Sequence, residues 1–218
     1  MSSIVTPLPV LDKMEYVFIE TDSFVTLPPV KTVFLSFVAG GGAGGYGDIV
    51  GKLALSGGGG GSGFGCKRFP INLVDPKSII IDCKIGKGGD ENNQNGGDTV
   101  IKVISDGNTT TLTAGGGMGG GKGEHNQGGL GGKPIVGMFS RANSGLKGSC
   151  VISTYKHIGG IGGASEFYNG GRGVSYNIQD LLSSNGKWGS GGGGMIPAPG
   201  RTTISKGGDG FVLIEYTM

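Results

Sequence analysis

Charge is scarce in this chain: 16% of its 218 residues are Asp, Glu, Lys or Arg, and the net charge is +2. A balance so near neutral excludes the broad basic surface that nucleic-acid binding needs, and no acidic tail is present. Histidine is nearly absent, with His125 and His157 alone, and the three cysteines, Cys66, Cys83 and Cys150, stand far apart. None forms a C-x-x-C pair, so neither a zinc site nor a disulfide framework is indicated; the expectation is three idle thiols in a reducing compartment. No hydrophobic run approaches the roughly 20 residues of a membrane-spanning helix. Residues 1–13 also lack the basic head and apolar core of a signal peptide, so neither a membrane span nor secretion is expected.

What the chain has in excess is glycine, 51 positions in all, about three times the usual share. Glycine runs ordinarily mark flexible linkers. Here 36% of residues are hydrophobic, more than a disordered chain carries at so low a charge. The runs are also joined to short apolar segments of the kind that build a β fold. The glycines are therefore read as architecture.

Taken in order, residues 1–13, with Pro7 and Pro9, read as an extended arm able to dock on a partner. Strands are expected at 15–20, 23–27 and 32–38, forming one antiparallel β element. Further strands are expected at 68–74 and 78–85, with a hairpin of 98–105 and 108–113 around Asp106-Gly107. One short helix is expected at 178–184, with Asn177 as its N-cap and Gly186 past its end. A closing strand at 211–216 must pair back into the early sheet. Residues 14–218 thus form one domain, β-rich over 14–113, glycine-rich over 114–206, and closed by a strand over 211–217.

Several runs share a period of three: Ala43 and Tyr46, Leu130 and Lys133, Ile161 and Ala164. A polyproline-II-type helix has three residues per turn and about 3.1 Å rise, so every third residue falls on one edge and the other two edges are bare backbone. It has no internal hydrogen bonds, so its N–H and C=O groups must be met by neighbouring rods or by water. The expected fold is mostly β, an antiparallel sandwich-like scaffold with an inserted bundle of packed polyglycine-II helices and almost no α-helix. Ala43, Tyr46, Leu130 and Ile161 are expected on the rim. Collagen is excluded because the runs are short and nearly free of proline.

In order, the chain reads strand, VAGGGAGG (38–45), GGGGGSGF (57–64), strand, IGKGG (85–89), hairpin, LTAGGG (112–117), further glycine runs, and finally GGDGFVLIEY (207–216). Over roughly residues 15–216 this resembles the glycine-rich domain of phage tail-fibre adhesins and related virion proteins. A similar arrangement of packed polyglycine helices occurs in some animal receptor ectodomains. The resemblance implies a β scaffold with a polyglycine-II bundle, a virion context and often attachment to a host surface through loops between the glycine helices. It carries over no catalytic residue. The chain lacks a fibre shaft, which leaves a capsid-surface or cementing role open beside the fibre tip, and an extracellular matrix or receptor-ectodomain module as a further alternative. The implied partners are other virion proteins, met through the arm, and a glycan or protein of the host surface.

Motifs of chemistry do not rise above the glycine background. Residues 40–45 match G-x-G-x-x-G behind a strand, but a second glycine run stands where the helix of a dinucleotide site belongs. Residues 116–122 have phosphate-loop spacing, but Gly123 replaces the Ser or Thr that ligates magnesium. Glu124 beside His125, and Cys150 ahead of His157, have no metal-ligand spacing. Neither a catalytic residue nor a cofactor is therefore expected, and the chain is read as non-enzymatic. Arg172 is a lone Gly-Gly-Arg-Gly where RNA-binding segments repeat. The loop aromatics remain. Trp188, with Tyr155, Tyr168 and Tyr176, lies where loops emerge from the bundle, suited either to stacking on a sugar or a partner, or to capping the bundle as a small core.

Overall fold

A computed structural model describes residues 14–50, 53–74, 76–122, 150–151, 159–173, 185–195 and 204–217. Its strands are β1 (Met14–Ile19), β2 (Ser23–Leu27), β3 (Thr32–Val38), β4 (Asp48–Val50), β5 (Leu53–Leu55), β6 (Gly65–Asn72), β7 (Ile79–Lys84), β8 (Thr99–Ser105), β9 (Asn108–Ala114), β10 (Cys150–Val151) and β11 (Phe211–Thr217). No helix occurs among the described residues. The helix expected at 178–184 lies outside them.

Two four-stranded antiparallel sheets, ordered β1-β11-β3-β6 and β2-β7-β8-β9, share one hydrophobic core. Val33, Leu35 and Phe37 of β3 alternate inward, as do Ile79 and Ile81 of β7, Ile101 and Val103 of β8, and Val212 and Ile214 of β11. This is the period-two pattern of sheets with one buried face. The closing strand β11 inserts between β1 and β3, Val17 standing opposite Ile214 and Ile214 opposite Leu35. The first three strands do not form one element, contrary to expectation: β2 leaves for the second sheet and pairs with β7. The interrupting residues 20–22 let the chain cross between layers, and period-two patterns do not say which sheet a strand joins. Strands β4, β5 and β10, at positions where no strand is expected, form a small third sheet.

The glycine segments extend from one end of the sandwich. β3 runs into 39–45, β7 into 85–89 and β9 into 115–121, while 57–64 runs into β6, 94–97 into β8 and 205–210 into β11. Segment 39–45 is the hub. Its amides donate in strict rotation of three. Ala39, Gly42 and Gly45 bond the carbonyls of Phe64, Gly61 and Gly58; Gly40 and Ala43 bond those of Gly97 and Gln94; Gly41 and Gly44 bond those of Gly208 and Ser205. All three acceptor segments run antiparallel to it. Its carbonyls receive N–H groups from Gly117 and Gly120, from Gly192 and Met195, and from Gly89. One segment therefore has six hydrogen-bonded neighbours.

Close approach is what glycine supplies here. A Cβ on Gly40, Gly41, Gly42, Gly44 or Gly45 would stand 1.9–2.1 Å from a neighbouring carbonyl oxygen. The bonds made at that separation, 2.8–3.0 Å long, satisfy buried backbone groups that would each cost about 1–3 kcal/mol unpaired. Ala43 is an exception with a place of its own: it is fully buried against Met195 and Ile204, with Tyr46 packed on the same cluster. Ala43 and Tyr46, three residues apart, thus meet in one hydrophobic cluster. Ala43 lies inside and not on the expected rim, because the 39–45 segment is enclosed by six neighbours, whereas Tyr46, just beyond it, is only partly buried.

Candidate functional site

The end of the bundle nearest the sandwich carries a tight turn over residues 187–190. Trp188 and Gly189 have φ of 43° and 73°, the consecutive left-handed pair of a type I′ turn. Gly189 suits its place twice over, since a Cβ there would also meet Val38 at 2.3 Å. Trp188 does not suit its place: a bulky residue in this region is an outlier that the surroundings must hold. Several contacts do so. Ser190 N–H donates to the Lys187 carbonyl at 2.9 Å and Lys187 N–H to Ser190 Oγ at 2.8 Å. Gly189 N–H donates to the Asp209 carbonyl, and Ser165 Oγ donates to the carbonyl of Trp188 at 2.7 Å.

The indole is 46% exposed and packs edge-on against Tyr168 and Phe211, with ring centroids 5.8 and 6.2 Å away. Phe211 also meets Phe18 at 5.1 Å and Phe167 at 4.8 Å. Trp188, Phe211, Phe18, Phe167 and Leu213 line an open apolar groove of about 320 Å³ along the outer face of the first sheet. Cations lie over the neighbouring rings: Lys67 over Phe167, Lys187 over Tyr168, and Arg68 over Phe34 at 4.6 Å. Arg68 sits at the bulge between β3 and β6, with φ of 50°, its N–H bonded to Ser36 Oγ and its guanidinium to the carboxylate of Glu215 at 2.5 Å. Glu215 is buried, so this pairing satisfies a charge within the outer sheet face.

On its other side Trp188 borders a larger cleft of about 770 Å³, which Asn185, Lys187, Lys206, Glu20 and Asp90 also line. Backbone N–H groups of Asn93 and Asn92 bond the Asp90 carboxylate and hold its pKa below the usual value. The indole N–H makes no hydrogen bond to the described residues, and the Lys187 ammonium has no carboxylate partner among them.

Of the aromatics singled out by sequence, Trp188 and Tyr168 are brought together and exposed, while Tyr155 and Tyr176 lie outside the described residues. Ile161 is exposed on the bundle's edge, and Leu130 also lies outside the described residues. Sequence reasoning missed Phe18 and Phe211. Both look like ordinary strand residues, and only the insertion of β11 beside β1 brings them to the tryptophan. The thiols of Cys66 and Cys83 are free and buried. Burial pushes the Cys83 thiol up to about 12, with Asp82 adding to the effect, and burial followed by Glu166 raises that of Cys66. No group of three or more His, Cys, Asp or Glu among the described residues could hold a metal ion. No helix among them is long and apolar enough to cross a membrane.

The family model of a glycine-rich domain matches residues 20–217. A search of curated proteins finds no match to the sequence.

Proposed function

From the premise that this chain belongs to the glycine-rich domain family, we propose that it is a non-enzymatic structural module of a virion surface. In this reading the threefold hydrogen bonding between segments is that of polyglycine-II helices, and their bundle is a rigid mount. The sandwich end carries the contact surface, and the arm at residues 1–13 joins the module to other virion proteins. The observation that carries the attachment role is Trp188: half exposed, held in a left-handed turn and backed by the bundle. Exposed aromatics on rigid supports contact partners at low entropic cost. A strained bulky residue whose carbonyl is held by Ser165 Oγ points to a role other than folding.

The test is location. Antibody labelling of purified particles, read by electron microscopy, is expected to decorate their outer surface. Particles that lack the chain, or hold it only inside, overturn the proposal. Finding it on the surface while purified protein binds no host cell assigns it instead to a cementing role.

A further inference from the structure

We propose that the cleft and groove on either side of Trp188 form one site for an uncharged saccharide, an inference that rests on the surface-attachment reading and names its ligand. Three features of the site point to this chemistry.

The first is charge balance. The cleft sets Lys87, Lys187 and Lys206 against Glu20, Asp90 and Asp209, and Lys87 is already paired with Asp209 at 3.7 Å. In the groove, Lys67 is paired with Glu166 and Arg68 with Glu215. Such a surface gives no net field to draw in a polyanion or a polycation.

The second is the mixture of donors and acceptors. A sugar hydroxyl both donates and accepts. The cleft offers acceptors in Glu20 and Asp90, the latter held ionised by its backbone hydrogen bonds. It offers donors in Lys187 and the amide of Asn185, whose Oδ1 is fixed by the N–H of Lys206 at 2.9 Å. A peptide strand would instead need a row of unpaired backbone groups, and the bundle segments here are bonded to one another.

The third is the aromatic ridge between the two. A pyranose ring has an apolar face of C–H bonds and a polar rim of hydroxyls. Trp188 supplies a matching apolar body with a donor tip, and its indole N–H is without a partner among the described residues. The cleft volume of about 770 Å³ falls within the usual range of small-ligand sites. The ring face would rest on the indole and the apolar groove, and the hydroxyl rim would reach the polar cleft.

Trp188 is the only tryptophan in the chain, so its fluorescence reports on this site alone. The full chain is titrated with maltotriose, mannotriose and chitotriose up to about 10 mM, and in parallel with a sialylated trisaccharide and with heparin. The expected result is a saturable change in tryptophan emission with at least one neutral sugar. Trp188→Asn keeps the turn, since Asn tolerates the left-handed region. It is expected to weaken binding by more than about tenfold when read by ligand-observed NMR. A response to the acidic ligands alone, no response to any neutral sugar, or unchanged binding by Trp188→Asn overturns the proposal. Binding to host cells before and after periodate oxidation of their carbohydrate separates the two levels. Equal binding in both cases leaves surface attachment standing and removes the saccharide site, whereas binding to neither cells nor sugars removes both.

Discussion

Gly42 donates its N–H to the carbonyl of Gly61 at 2.8 Å, and a Cβ on the same residue would stand 2.0 Å from the carbonyl oxygen of Met118 on another neighbour. Both facts follow from a backbone surrounded by other backbones. The obstructing atoms are main chain and cannot rotate away, so Gly42→Ala is expected to destabilise the fold by about 3 kcal/mol or more. Gly97→Ala, whose nearest contact would be 3.2 Å away, is expected to cost far less. Urea midpoints compare the two. Equal effects would mean that the segments do not pack this closely.

The ion pair on the outer sheet face gives a second expectation. Arg68 is half exposed while Glu215 is buried, so removing the arginine strands a buried carboxylate. Arg68→Ala is expected to cost about 1–3 kcal/mol, below the full value for a buried pair because water can reach the arginine side. Glu215→Gln is expected to cost less, since a neutral amide needs no counter-charge. Chemical denaturation measures both, and a larger loss for Glu215→Gln would contradict the assignment.

Cys83 links stability to alkaline pH. Its thiol is raised from 9.0 to about 12 by burial and by Asp82, so the native state keeps its proton after the unfolded state has released its own. The contribution is fully present below about pH 9 and is lost as pH rises from there towards about 12. Wild type is therefore expected to lose stability more steeply than Cys83→Ala between pH 8.5 and 10.5, values set by the ordinary thiol pKa of about 8.5. Thermal melts across that range decide it, and parallel curves would contradict the burial of this thiol.

The turn at Trp188 predicts an order among replacements. Every substitution loses the same ring contacts with Tyr168 and Phe211, so differences among small residues report on the backbone. Trp188→Gly is expected to be more stable than Trp188→Ala by about 1 kcal/mol, because alanine pays the left-handed penalty and glycine does not. Equal stabilities would place the turn in an ordinary conformation.

Much of this architecture is legible in the residues. The long strands stand out because Val33, Leu35 and Phe37, or Ile79 and Ile81, alternate with outward residues. The Asp106-Gly107 turn is written in its dipeptide, with both residues at positive φ. Ala43 and Tyr46, three apart, meet in one hydrophobic cluster. Whether such a residue is enclosed, as Ala43 is, or only partly buried, as Tyr46 is, depends on how many neighbours a segment gathers, a property of the assembled bundle that spacing does not encode.

The same limit applies to the candidate site. Trp188 attracts notice from sequence as a lone indole beside a glycine run. Its partners Phe18 and Phe211 come from the two ends of the described chain and meet through the pairing of β1 with β11. Sheet membership likewise escapes a period-two pattern, which is why β2 is read with β1 and β3 but pairs with β7. The short strands β4 and β5 are three residues each, too brief for any periodicity to register.

The glycine runs form a hydrogen-bonded bundle in which the 39–45 segment is the hub. Scalar couplings measured by NMR across hydrogen bonds test it most directly. Couplings are expected from the amides of Ala39, Gly42 and Gly45 to the carbonyl carbons of Phe64, Gly61 and Gly58, in that antiparallel order. Absence of these couplings, with the same amides exchanging hydrogen at the rate of an unfolded chain, would contradict it and return the glycines to the status of linkers.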